Sequence, residues 1–542
     1  MASSSSSSPT PSASSRGDAE RRAITGRAGI VAAGTLASRL LGLVRDQTLA
    51  ALFSRAATDA FFVAFTIPNV LRQLLAEGAV QNAVLPVLSK TKEQQGDAAA
   101  HEFFRALRGL SLLILIVVSV LGVWLAPALV DLFAHGYRDE PGQFERTVTV
   151  TRWVFPYIFF MGTAALGVAA LNVEKRFVVT SFAPGLLNVA FIACAFGLPT
   201  WLTRSGHDAI LAMAIGALLG GLLQVVAQWP SLRATGYLSL PTLRLSHPAL
   251  RETLRRMGPV LIGLGVYYVD VVLARRFLSE LGQGAQSYFA WALRLCDFPQ
   301  GIFVMALSSA TLPSLAALAA RGDAEEVAKT FAYGLRLALF VGLAATALLV
   351  SCAEPLVVLI FQRGAFDATA AHETAKALMA QGLGIWAVAA VRQLVSVYYA
   401  LGDTRTPVVV AALDLGVFVV LALTLRVPFG HVGIGLAVAG ASIAQMAMLF
   451  LGLRGKLSSL HLGELFGSAA RTLGACAVAA IAAWSVAGAT AQPPDASAWW
   501  RLVPGIAAGS SFGLAFLMAA WLLRSQELHV LSEGLLRRLR RR

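Results

Sequence analysis

Apolar runs of about 20 residues recur along the whole chain, the length a helix needs to cross a bilayer core of roughly 30 Å. Inside that core no water satisfies backbone N–H and C=O groups, so a spanning backbone is either helical or part of a closed barrel. Barrel strands alternate apolar and polar residues over short segments. These runs are longer and continuously apolar. The chain is 57% hydrophobic with mean hydropathy +0.68. An all-α polytopic membrane protein is expected, with about 14 transmembrane helices.

The opening stretch, MASSSSSSPTPSASSRGDAERRA, is serine-rich and lacks an apolar centre. It reads as a disordered cytoplasmic tail over residues 1–23, not as a signal peptide. Cys194, Cys296, Cys352 and Cys476 lie in or near apolar segments without paired spacing. They read as small core residues, with no metal site or disulfide frame. The net charge of +14 sits mostly on arginines of loops and tails. In a membrane protein this reports topology and anionic lipid, not nucleic acid. Basic residues gather in alternate loops, including Lys90 with Arg105, Lys175 with Arg176, and the run from Arg233 to Arg256. The positive-inside rule then makes both termini cytoplasmic. The opposite loops, such as LSELGQGAQ, VPFG and ATAQPPDASA, are poorer in charge, with Arg138, Arg146, Arg204 and Arg363 as exceptions.

The two halves of the chain echo one another. AVLPVL and ATLPSL place Pro86 and Pro313 a distance of 227 residues apart, and Val130 and Val357 have the same separation. EKRF and DTRT place Arg176 and Arg405 229 residues apart. Chance coincidence in an apolar chain is the alternative to duplication. Duplication predicts two parallel six-helix lobes, residues 24–235 and 236–457, an arrangement familiar in secondary transporters. Two more helices fill residues 458–525, and a basic cytoplasmic tail fills residues 526–542.

Charges within the apolar runs mark candidate sites. The stretch SRLLGLVRD sets Arg39, Arg45 and Asp46 in a helix that is otherwise apolar from Ala28 to Phe53. Arg72 and Arg294 stand in similar surroundings. A charge at the bilayer centre costs about 2.5–3.5 kcal/mol on insertion scales, so such residues face protein or a water-filled cavity. Asp46, Asp59, Glu77 and Asp297 are available to offset them. Gly34, Ser38 and Gly42 make a small-residue ridge at spacing four, which admits a close neighbour helix. Arg39 and Asp46 fall nearly on one helix face, and Arg294 and Asp297 are spaced to pair along theirs. Pro68 and Pro299 break the helices carrying Arg72 and Arg294, as happens where backbone lines a cavity. An arginine-lined cavity suits phosphate, because the guanidinium fork donates two parallel hydrogen bonds. Buried ion pairs that only fix packing are the alternative. Asp270 and Asp414 lie in later apolar runs and are expected to pair around Na⁺ or H⁺, or else to make structural hydrogen bonds.

SRLLGLVRD, TDAFFVAFTIPNVLRQLLAEGA, RFVVTSFAPGLLN, LRRMGPVLIG, LRLCDFPQGIF, FQRGAFD and YYALGDTRTPV form an ordered series from Ile24 to about Leu453. The series resembles the MurJ/MviN family of lipid II flippases, within the multidrug/oligosaccharidyl-lipid/polysaccharide exporter superfamily. The resemblance implies a bacterial inner-membrane transporter that moves an undecaprenyl-pyrophosphate-linked peptidoglycan precursor to the periplasmic leaflet. It places pyrophosphate contacts on Arg39, Arg45 and Arg294, with Arg72 as a further cavity arginine. It assigns gate or cavity roles to Asp59 and Asp297, in the company of Ser38, Asp46, Asn69 and Glu77. It makes the last two helices a groove for the lipid tail. Family members with a sodium site carry an acid at the position of Ala274. Here the acid is Asp270, one turn earlier, and Asp414 also precedes the usual polar position by a turn. The drive is expected to be membrane potential, a cation gradient, or consumption of the precursor outside. Association with cell-wall synthesis machinery follows from the pathway. No nucleotide-binding GxxxxGK[ST] occurs, no cofactor is expected, and no catalytic acid pair is apparent, so a membrane glycosyltransferase is a weak rival. Export of another polyprenyl-linked oligosaccharide is the nearer one.

Overall fold

All regular structure among the described residues is helical, as a bilayer-spanning backbone demands. The computed structural model describes residues 13–74, 83–301, 305–457, 459–491 and 500–540. Nine helical segments among these are long and apolar enough to cross a membrane, including Phe177–Gly197, Leu211–Ala234 and Ala324–Ser351. The centres of two expected crossings, near residues 75 and 303, fall on residues outside the described set, as does Glu77. The first helix, Ala13–Leu52, begins inside the stretch read as a tail, and Gln526–Arg540 forms a helix within the basic C-terminal segment.

The segment Arg405–Leu453 carries 49 helical residues, on the order of 70 Å if straight and more than twice a bilayer core. It is not straight. Gly430 takes φ 55°, ψ −134°, which only glycine adopts without strain. A Cβ added at Gly433 would lie 2.1 Å from the Leu425 carbonyl oxygen, and one at Gly440 would lie 2.7 Å from Leu421. Residues that far apart on one helix cannot meet so closely. The segment is therefore a helical hairpin, its arms packed through Phe418, Ala422, Ile434, Ala437 and Ala441. The VPFG stretch, read from sequence as an outer loop, is the turn. At the hairpin's start Asp403 accepts from the Arg405 and Thr406 amides and from the Thr406 hydroxyl, and pairs with Lys456 at 2.9 Å. The Thr406 side-chain hydrogen bond, foremost, holds this carboxyl well below the usual range.

By contact the chain divides into two units. One comprises Met1–Asp46, Pro68–Trp124 and Arg152–Leu261; the other comprises Gln47–Ile67, Leu125–Thr151 and Ile262–Arg542. These units follow packing, whereas the repeat expected from the sequence concerns residue correspondence, which packing does not test. In the first unit Phe103, Phe104, Leu166, Leu232 and Tyr237 share a core. In the second, Phe340, Phe512 and Phe516 lock the last two long helices against Ala324–Ser351, and Phe512 and Phe516 stack at 6.2 Å. The outer faces of those last helices are apolar: Trp484 is 74% exposed and Leu514 69%. Apolar area of this kind faces acyl chains in a membrane protein.

Candidate functional site

In the first unit the site grows from Ala13–Leu52. Gly34 lets this helix approach Phe177–Gly197 closely, since a Cβ there would lie 2.6 Å from the Ser181 carbonyl oxygen. One turn on, the Ser38 carbonyl accepts from Asn188 Nδ2 at 3.0 Å. Asn188 Oδ1 in turn accepts from Arg45 Nη1 at 3.2 Å. Arg45 also donates through Nε and Nη2 to Asp46 Oδ1, at 2.9 and 2.7 Å, and lies over the Phe191 ring at 5.4 Å. Its guanidinium is thus fixed in orientation by two helices. Asp46 is buried and has Arg45 as its partner, where the sequence suggested Arg39. Arg39 is half-buried and makes no hydrogen bond or ion pair among the described residues. Arg72 donates from Nε to Asn69 Oδ1 at 3.0 Å, across the turn that Pro68 opens.

Small size at position 34 has a measurable consequence. Gly34→Ala is expected to push backbone against backbone, costing about 1–3 kcal/mol as overpacking does. Gly29→Ala meets nothing within 4 Å and serves as the control. The melting temperature of the purified protein in detergent should fall for the first and hold for the second.

In the second unit the segment around residues 51–59 is tied down at several points. Ala365 N donates to Ala51 O at 2.8 Å, and Arg55 pairs with Asp367, which itself caps Ala368–Gly382 through the Ala370 amide. Gln143 Nε2 donates to Ala56 O at 2.8 Å. Thr58 and Ser287 share a hydroxyl hydrogen bond of 2.7 Å. Asp59, 1% exposed, accepts from Gly284 N at 2.5 Å, Ser287 N at 2.8 Å and Ser287 Oγ at 2.5 Å. It thereby caps the helix Ala285–Pro299, whose own N-cap residue is a glycine with no side chain to offer. Arg294 and Asp297 lie on this same helix, half-buried and exposed respectively. Asp270 and Asp414 interact electrostatically, and each has an Oδ1 that is buried with no hydrogen-bond partner among the described residues. Among the described residues no group of three or more His, Cys, Asp or Glu is placed to hold a metal ion.

The structure thus joins Ser38, Arg45 and Asp46 through Asn188, joins Asn69 to Arg72, and joins Asp59 to the helix of Arg294. The sequence reading missed Asn188, Ser287, Gln143 and Asp367. Asn188 and Asp367 do occur in the quoted RFVVTSFAPGLLN and FQRGAFD stretches, but nothing in the local sequence names their partners.

The sequence model of the family described as lipid II flippase MurJ matches residues 49–495. A lipid II flippase MurJ of Burkholderia cenocepacia is 35% identical over 428 residues, covering 78% of this chain and 82% of the relative. A probable lipid II flippase MurJ of Vibrio cholerae is 31% identical, covering 87% and 89%. Among solved structures, a lipid II flippase MurJ in an inward closed conformation matches with TM-score 0.74 at 21% identity, over 91% of this chain and 98% of that one. An inward-facing MATE-family multidrug resistance transporter of the MOP superfamily matches with TM-score 0.63 at 15% identity, over 78% and 95%. Both structures share this fold.

Proposed function

The chain belongs to the lipid II flippase MurJ family, and from that premise we propose that its intramembrane arginines receive the pyrophosphate of lipid II. The protein is a lipid II flippase, a multi-pass inner-membrane transporter and not an enzyme. The observation that carries the arginine assignment is the contrast between Arg45 and Arg39. Arg45 is held in a fixed pose by Asp46 and Asn188, while Arg39 stands half-buried in an apolar helix with no protein partner among the described residues. A cation so placed is costly unless an anion or water meets it.

Arg39, Arg45 and Arg294 then bind the pyrophosphate, with Arg72 contributing further charge. The polyprenyl tail stays in lipid beside the exposed apolar faces of Leu462–Ala489 and Val503–Leu522. Transport proceeds by alternating access, with Asp59 and Asp297 acting at the gate. One elementary charge crossing 100 mV is worth about 2.3 kcal/mol, so membrane potential supplies a useful bias. A Na⁺ or H⁺ at Asp270 and Asp414 is a second source of drive. Both termini are cytoplasmic by loop charge, and cell-wall synthesis enzymes are the natural partners.

The test is complementation in cells depleted of their own flippase, reading lipid II on the outer leaflet. Wild type should restore it, and Arg39→Ala, present in the membrane at equal amount, should not. Wild type that inserts but delivers no lipid II would point to another polyprenyl-linked glycan as cargo. Full activity of Arg39→Ala would remove that arginine from the substrate set.

A further inference from the structure

In the first unit the chain from Tyr237 to Arg244 is neither helix nor strand, yet it is held at successive residues. Tyr237 is buried, its ring 5.1 Å from that of Phe104, and Leu238 N donates to Leu232 O at 3.1 Å. Arg108 Nη1 donates to Ser239 O at 3.1 Å, Arg105 Nε to Leu240 O at 3.0 Å, and Thr242 N to Arg105 O at 3.1 Å. Gly109 completes the seat, since a Cβ there would lie 2.2 Å from the Thr242 carbonyl oxygen. These residues form a strap across the helix Leu85–Trp124. Ser239, Leu240 and Thr242 each give a backbone group to protein. Such pairing lowers the cost of taking irregular backbone out of water.

The strap turns leucines outward. Leu240, Leu243 and Leu245 are 82%, 64% and 60% exposed. Neighbouring bare leucines mark a surface that something apolar covers. The helix beneath shows at what level they lie. Leu113, Ile116, Val117 and Val120 on Leu85–Trp124 are exposed and apolar, as lipid-facing residues are. Gly109 precedes Leu113 by four residues, so the strap crosses about 6 Å from the start of that apolar face. A second marker agrees. Trp229, half-exposed on Leu211–Ala234, lines one small void with Arg108 and Leu238. Tryptophan gathers at the level of the headgroups. Apolar side chains of interfacial segments sink roughly 5–10 Å into the boundary of headgroups and acyl chains, the same level. Arg251 and Arg255, exposed on the first two turns of Pro248–Ser279, add positive charge that suits a phospholipid surface.

We propose that residues 238–245 are a membrane anchor, with Leu240, Leu243 and Leu245 seated at the boundary of headgroups and acyl chains. The occupant of the leucine surface is the bilayer itself, and no single bound lipid is required. Because the strap is hydrogen-bonded to Leu85–Trp124, the anchor fixes the depth of that helix and of the core built on Phe103, Phe104 and Tyr237. The longest loop of the chain thereby sets the height of the first unit in the membrane.

The experiment places a bimane fluorophore on Leu240→Cys, Leu243→Cys or Leu245→Cys in the full chain, reconstituted into vesicles of phosphatidylethanolamine and phosphatidylglycerol. The four native cysteines are buried, and the unsubstituted chain gives the background. Gln95→Cys, exposed beside the bend at Gly96, is the aqueous reference. Val120→Cys, 63% exposed on the apolar face, is the hydrocarbon reference. Strap probes should emit to the blue of the Gln95 probe and lose most of its quenching by iodide. A phospholipid with a nitroxide high on its acyl chain should quench them at least as strongly as the Val120 probe. Iodide quenching equal to that of the Gln95 probe would leave the strap in water and overturn the anchor. Shielding from both quenchers would place protein over the leucines, a second copy of the chain, and would overturn it equally. All three substituted side chains are exposed, so the reading does not depend on a change to the core.

Discussion

Arg45→Ala is expected to abolish growth support in flippase-depleted cells. Two effects combine. The substitution removes a proposed pyrophosphate ligand, and it takes from Asp46 its ion-pair partner Arg45, the two side chains being 6% and 15% exposed. Removing one member of a buried pair costs up to about 3–5 kcal/mol, because the other charge loses its counter-ion. The effects separate in the double variant Arg45→Ala with Asp46→Asn. It removes the carboxylate charge together with its counter-ion, so its melting temperature should return most of the way to wild type while growth does not. Growth of the double variant would show that Arg45 acts only in packing. Arg45→Lys should fall between, since an ammonium cannot reproduce the fork that reaches Asp46 and Asn188 together.

Asp59→Ala is the second large effect. It strips three hydrogen bonds from the start of Ala285–Pro299 and leaves the Gly284 and Ser287 amides buried without acceptors. Loss of a helix cap costs about 0.5–2 kcal/mol, and orphaned buried donors add to it, so a total of roughly 2–4 kcal/mol is expected. The helix so loosened carries Arg294 two turns further on, and transport should fall along with stability. Asp59→Asn keeps one acceptor oxygen and should sit between. A melting temperature for Asp59→Ala equal to wild type would refute the capping role. To read the contact directly, Thr58→Cys with Ser287→Cys should cross-link readily in the Asp59 background and poorly once Asp59 is alanine.

The class of fold was legible because bilayer thickness leaves few choices for an apolar run of given length. The candidate arginines were legible for the same reason: a charge in such a run stands out by its expense. Partners were not. Asp46 sits seven residues from Arg39 and one from Arg45, and helical spacing favoured the former. The choice went to Arg45 because Asn188 and Phe191, on a helix more than a hundred residues later, fix the guanidinium where Asp46 can reach it. Asp59 read as an offsetting charge, yet it serves a helix start 225 residues away, and no periodicity connects the two. The one local hint was the glycine at position 284, a helix start with no cap of its own.

The hairpin at Gly430 bears on how the chain is made. Its arms are joined by a turn with no spare length, so an arm that crosses the bilayer commits the other to cross back. A side chain at Gly430 strains the turn and neither arm, because the φ of 55° and ψ of −134° suit glycine alone. Its damage is expected to register as a lower yield of folded protein, with the transporters that do form working normally.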